Sequence, residues 1–149
     1  MQIERAISGD IDSLCVLFND YRMFYEKNTD IEGAREFLRD RISNHESVIF
    51  LSRAEDGSIT GFVQLYPIFS STRMKRLWLL NDLFVVPAYR GTGTSVALIE
   101  AAKTFSREIP SCGLVLETAR TNHVANKLYK RVGFTMDAEH NYYAWSETN

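Results

Sequence analysis

The stretch Pro87-Ala88-Tyr89-Arg90-Gly91-Thr92-Gly93-Thr94-Ser95 follows the apolar run NDLFVVP and precedes VALIEAAKTF, whose spacing predicts a helix. A strand that enters a glycine-rich turn and leaves as a helix aims several backbone N–H groups at one point, beside the positive end of the helix dipole. That arrangement binds phosphate. Two well-known forms of it do not fit. The Walker loop needs Gly-Lys-Ser/Thr where this chain has Gly93-Thr94-Ser95, and the dinucleotide fingerprint would place its third glycine on Val96. Taken alone, a turn in which Gly91 and Gly93 serve only backbone geometry is the simpler reading.

A second element carries its own spacing. In TNHVANKLYKRVGF, Asn122 opens a helix, Ala125 lies one turn on, Leu128 and Tyr129 follow, and Gly133-Phe134 close it. Together the strand DLFVVP, the Arg90–Ser95 loop and this helix resemble the GNAT superfamily of acyl-CoA-dependent N-acyltransferases. NDLFV and LYKRVGF look most like its diamine and polyamine acetyltransferase branch. The order of elements agrees over almost all of the 149 residues, which implies a single N-acetyltransferase domain over 1–149 with acetyl-CoA as cosubstrate. The resemblance implies that Arg90 and the N–H groups of Gly91, Thr92, Gly93, Thr94 and Ser95 hold a pyrophosphate. Leu83, Phe84 and Val85 would pair with the pantetheine arm, and Asn122, Ala125 and Tyr129 would take its other side. Ser95 departs from the family's Gly or Ala, yet it is small and its hydroxyl can donate to phosphate.

An alkyl ammonium, with a pKa near ~10, must lose a proton before it attacks a thioester. The family places an N–H near Phe84 or Val85 on the developing oxyanion, and Tyr129 matches its general acid for the departing thiolate. The base is harder to assign. Diamine acetyltransferases carry Glu where this chain has Asn81, which cannot take a proton. Asp82 and Glu117, the latter at the end of the next strand, are the candidates, each acting through water; an acceptor that arrives neutral is a third route. Apart from the resemblance, Tyr129 reads as packing, Asp82 as a strand-end carboxylate on turn amides and Glu117 as a solvated strand end. The acceptor groove implied by the family draws on Tyr21, Phe24, Tyr25, Glu26, Tyr66, Tyr142 and Tyr143, with Tyr25, Glu26 and Tyr66 and the carboxylates Asp82 and Glu117 the stronger candidates; aromatic faces and carboxylates suit an ammonium group. Tyr21 and Phe24 fall on the apolar stripe of their helix.

The implied reaction is acetyl transfer from acetyl-CoA to a primary amine of a small molecule, such as a polyamine, amino acid or related metabolite, by direct attack in a ternary complex. Two alternatives stay open: a protein lysine or N-terminal acetyltransferase, and a non-catalytic acyl-CoA-binding regulatory domain, which Asn81 allows. Dimerisation is common in the family, so a homodimer stays open without an identified interface.

The rest of the chain must position these groups. Gln2 to Ala6 predicts a first strand, Ile11 to about Asn28 a helix, and Ile31 to Ile42 a second one. VIFLSRA, EDGS and ITGFVQLYPIF read as a hairpin, and MKRLWLLNDLFVVP as a third antiparallel strand that Pro87 stops. A helix closed by Pro110, a strand over Cys112 to Glu117 and the Asn122–Val132 helix follow, and Phe134–Met136 and Tyr142–Trp145 read as two last strands. The fold class is α/β (α+β): a mixed, mostly antiparallel central sheet of about seven strands flanked by about four helices. Seventeen Lys plus Arg against nineteen Asp plus Glu give a net charge of −2, so no global field favours nucleic acid or acidic lipid. Cys15 and Cys112 are too few and too distant for a disulfide scaffold, and His45, His123 and His140 are too dispersed for a metal site. Charges in MQIERAISGDID occupy the place of a signal peptide's apolar region, and no run approaches the ~18 apolar residues of a membrane span, so a cytoplasmic protein is expected.

Overall fold

One five-stranded sheet organises the described residues, 1–147, of the computed structural model: β1 (Gln2–Arg5), β2 (Val48–Arg53), β3 (Ile59–Ser70), β4 (Lys75–Val85) and β5 (Ser111–Val115), side by side in that order. β1 to β4 pair antiparallel and β5 joins β4 in parallel. The four α-helices are α1 (Ile11–Phe24), α2 (Ile31–Ser43), α3 (Thr94–Glu108) and α4 (His123–Arg131). They fall into two compact units, Met1–Glu117 with the sheet and α1 to α3, and the chain from Thr118 onward with α4.

In the first unit β2 and Ile59–Leu65 of β3 are buried on both faces, which is why these segments read as nearly continuous apolar runs. Ile49 and Leu51 of β2, Phe62 of β3 and Phe84 of β4 pack with Leu14, Cys15 and Phe18 of α1 and Ala34 and Leu38 of α2. Phe50, between Ile49 and Leu51, points the other way and meets Phe105 of α3 with ring centroids 5.7 Å apart, as period-two alternation requires. Trp78 of β4 meets the same ring at 5.0 Å. α1 stops earlier than its periodicity predicts. After Phe24 the backbone turns at Glu26, with φ of 60°, and the buried Asn19 ties down the connection by donating to the Thr29 hydroxyl at 3.1 Å and accepting the Asp30 N–H at 2.8 Å. Asp30 then caps α2 by accepting the Gly33 N–H at 2.9 Å.

The second unit is built around α4. Its C-terminus is a Schellman turn: the Phe134 N–H donates to the Tyr129 carbonyl at 2.9 Å, the Gly133 N–H to the Lys130 carbonyl at 3.1 Å, and Gly133 adopts φ of 91°. The expectation of about seven strands is corrected here. Phe134–Met136 and Tyr142–Trp145 are irregular, and the sheet has five strands among the described residues. A local turn takes the place of a ladder. The Asp137 carboxylate accepts the Glu139 N–H at 2.9 Å, the His140 N–H at 3.1 Å and the Tyr142 hydroxyl at 3.1 Å, while Tyr143 and Trp145 stand exposed. No helix among the described residues is long and apolar enough to cross a membrane.

Candidate active site

The geometry begins with β4, which keeps its pairing with β3 as far as Val85 but its pairing with β5 only as far as Leu79, opposite Val115. From Leu80 to Val85 one edge of the strand therefore has no ladder partner among the described residues, a template for an extended amide-bearing ligand. Leu83, Phe84 and Val85 all lie on this free stretch. The β3–β4 register shifts there as well: Gln64 faces Asp82 and Leu65 faces Leu80, so Asn81 is the extra residue of a bulge. The bulge aims Asp82 inward and leaves Asn81 exposed.

Asp82 is 4% exposed. One carboxylate oxygen accepts the Gln64 amide at 2.7 Å and the other the Asn81 amide at 3.1 Å. Burial nevertheless pushes its pKa above the usual carboxylate range, against the hydrogen bonds from Gln64, Tyr21 and Asn81. The phenol of Tyr66, half-buried on β3, is pushed up as well, by burial first and then by the Asp82 charge. An aromatic cluster from α1 stands over this part of the sheet. Tyr21 packs edge-on against Phe62, Phe84 and Tyr25, and Tyr25 against Phe24 at 5.3 Å. Glu26 is exposed at the left-handed turn that ends α1, and Glu117 is exposed beyond β5 rather than within it.

The glycine loop leaves β4 through a 3-10 turn at Pro87–Tyr89. Arg90 folds back: its Nε donates to the Val85 carbonyl at 2.9 Å, and its guanidinium lies 5.7 Å from the Phe84 ring and 5.9 Å from the Phe24 ring. The Thr92 hydroxyl donates to the Tyr89 carbonyl at 2.6 Å and shares a 2.9 Å hydrogen bond with the Thr94 hydroxyl. Gly91 and Gly93 have φ of 76° and 88°, and Gly93 is the N-cap of α3 with no side chain capping the helix. A Cβ added at either glycine would meet no atom within 4 Å beyond its chain neighbours, so sterics do not require glycine there and the positive φ does. The N-terminus of a 15-residue helix and two left-handed glycines are the parts from which an anion cradle is built.

Conformation rather than crowding therefore defines Gly93. Gly93→Ala should cost about 1 kcal/mol in urea unfolding, and Gly93→Asn less, because Asn tolerates the left-handed region. Equal losses in the two variants would show that the added side chain itself is the problem.

In the second unit the Asn122 side chain accepts the Ala125 N–H at 3.1 Å and caps α4, and the Tyr129 ring meets Phe134 edge-on at 5.8 Å. These residues shape their own helix as the spacing TNHVANKLYKRVGF predicts. Gln64 was not among the expected site residues, and Tyr21, offered for the groove but also read as core, stands beside Asp82. The signal for Gln64 was a lone amide inside the apolar run Phe62–Leu65.

Residues 14–134 match the model of the acetyltransferase (GNAT) family. An uncharacterized N-acetyltransferase of Bacillus subtilis, YhfO, is 44% identical over 137 residues, covering 92% of this chain and 91% of that protein. An aminoglycoside N(6')-acetyltransferase type 1 of Klebsiella aerogenes is 28% identical over 106 residues, covering 70% and 69%. The crystal structure of a probable acetyltransferase superposes with a TM-score of 0.95 at 37% identity, over 100% of this chain and 99% of that one.

Proposed function

Since the chain belongs to the GNAT family of acetyltransferases, it is an acetyl-transferring enzyme, and we propose that it moves the acetyl group of acetyl-CoA to a primary amine of a small molecule. The observation that carries the acceptor class is Asp82, a buried carboxylate that interacts with Tyr21 and Tyr66, beside the aromatic cluster of Tyr21, Phe62 and Phe84. An ammonium group satisfies both features, the charge by ion pairing and the rings by cation–π attraction. Polyamines and amino acids carry that group, as does an aminoglycoside, the acceptor named for the Klebsiella relative. The likeness to the polyamine branch stands on NDLFV and LYKRVGF. Membership of an enzyme family replaces the non-catalytic alternative that Asn81 left open.

Acetyl-CoA fits the residues present. Arg90 and the Gly91–Ser95 cradle would hold its pyrophosphate, with the Ser95 hydroxyl as an added donor, and the free edge at Leu83–Val85 would pair with the pantetheine amides. When bound, the cosubstrate supplies the activated acetyl group. Asp82 holds the amine and takes its proton, directly or through water, because a carboxylate with a raised pKa is a better base than an exposed one. Exposed Glu117 is the weaker candidate on the same argument. An N–H at Phe84 or Val85 meets the charge that develops on the carbonyl oxygen. For α4, Asn122, Ala125 and Tyr129 keep the roles that the resemblance implies, with Tyr129 returning a proton to the departing thiolate. Tyr25, Glu26 and Tyr66 sort acceptors by shape and charge.

Free amines and lysine- or N-terminus-bearing peptides, offered at equal concentration, separate the acceptor classes. The expected result is a kcat/KM for at least one free amine that exceeds every peptide by about 10-fold or more, a margin of about 1.4 kcal/mol. A peptide that leads the panel would move the proposal to protein acetylation.

A further inference from the structure

We propose that Gln64 is a positioning residue that acts through Asp82, fixing the direction of its carboxylate and keeping it charged for reaction with the amine. The inference rests on the role given to Asp82 above. Three observations converge on it. Gln64 lies directly opposite Asp82 in the β3–β4 register at the bulge, where slipping the pairing by one residue would turn the carboxylate to the other face of the sheet. Its Nε2 donates to Asp82 Oδ2 at 2.7 Å, a short charge-assisted bond between two buried side chains. Its Oε1 is buried with no hydrogen-bond partner among the described residues.

The third observation gives the first two their meaning. A carboxylate only accepts, so the amide must present its N–H₂ to Asp82 and turn its oxygen away, where no described residue donates to it. Leaving a buried acceptor unpaired is unfavourable, and an apolar side chain at this strand position would avoid it. Phe62, two residues earlier and on the same face of β3, is fully buried and shows that this face accepts an apolar side chain. The amide is useful only toward Asp82.

The groups that face Asp82 are Gln64 and Tyr66 from β3, Asn81 from β4 and Tyr21 from α1, with Arg41 of α2 acting on Tyr66. The test is titration of the full chain carrying ¹³C-carboxyl Asp, with Asp82→Asn used to assign the resonance. Gln64→Met should raise the Asp82 midpoint by about one pH unit, the size of one lost charge-assisted bond. The acid limb of kcat/KM for the amine should move with it while the KM for acetyl-CoA stays within about twofold. If Gln64→Met does not fold, Gln64→Glu serves. It has nearly the same shape and should raise the midpoint further, since two adjacent carboxylates resist ionising together. A midpoint that stays in place in the variant overturns the proposal, as does a midpoint that moves while the limb does not follow it. An acid limb that survives in Asp82→Asn is a different failure: it removes Asp82 as base, whatever the titration shows of Gln64.

Discussion

Asp82→Asn should lower kcat/KM for the acceptor amine by about 10²-fold, the ordinary size of a general-base contribution, while making the protein more stable at neutral pH by about 1 kcal/mol. The two effects have one origin. Burial raises the Asp82 pKa in the folded state above its unfolded value, so between those values the folded chain binds the proton more tightly. Stability then falls as pH rises from the usual carboxylate range through the raised pKa, and stays lower at neutral pH. The amide that replaces the carboxylate in this variant would carry no charge to bury, and its carbonyl oxygen would still accept the Gln64 amide. The melting temperature should rise by about 3 °C. Wild type should lose activity as pH falls through the raised pKa, and the variant should lack that limb. Thermal melts and a pH profile check both parts. A variant that is less stable at pH 7 and fully active would make Asp82 a structural carboxylate.

Tyr129→Phe should lower kcat by about 10²-fold and leave the KM for acetyl-CoA nearly unchanged. Phe keeps the ring, and with it the edge-on contact to Phe134 that accompanies the Schellman turn, so α4 should hold its structure. What is lost is the hydroxyl. Rapid quenching separates the chemical step from product release, and a thiol with a lower pKa as the leaving group should restore part of the rate, since it needs no acid. Turnover equal to wild type would remove Tyr129 from the acid role.

The loop and α4 were legible in the sequence because their constraints are local. Gly91 and Gly93 take left-handed conformations that few other residues accept, and Asn122 and Gly133-Phe134 mark the two ends of one helix. The hairpin, the third antiparallel strand and the helix after the loop followed from periodicity in the same way. The Asp82 surroundings were not legible. Asp82 was a candidate base with turn amides as its structural alternative, and it meets Gln64, eighteen positions earlier in the chain, because of a bulge that no local pattern marks. Tyr21 and Phe24 looked like a buried stripe on α1. The helix ends early, leaving Phe24 and Tyr25 exposed and the Phe24 ring near Arg90 from the loop. The two last strands were overread for a related reason. Aromatic residues at Tyr142 to Trp145 suit a strand, but a ladder needs a neighbour, and between the two expected strands the chain turns locally on Asp137, which takes the N–H groups of Glu139 and His140.

The most direct test of acetyl transfer to a small-molecule amine is one stoichiometry measurement. The protein is mixed with acetyl-CoA and a panel of spermidine, free amino acids and aminoglycosides, the released thiol is titrated, and the masses of the amines and of the protein are read from the same sample. The expected result is one N-acetylated amine for each thiol released, with the protein itself unmodified. Thiol release without any acetylated free amine, or an acetyl group left on the protein, would contradict the account.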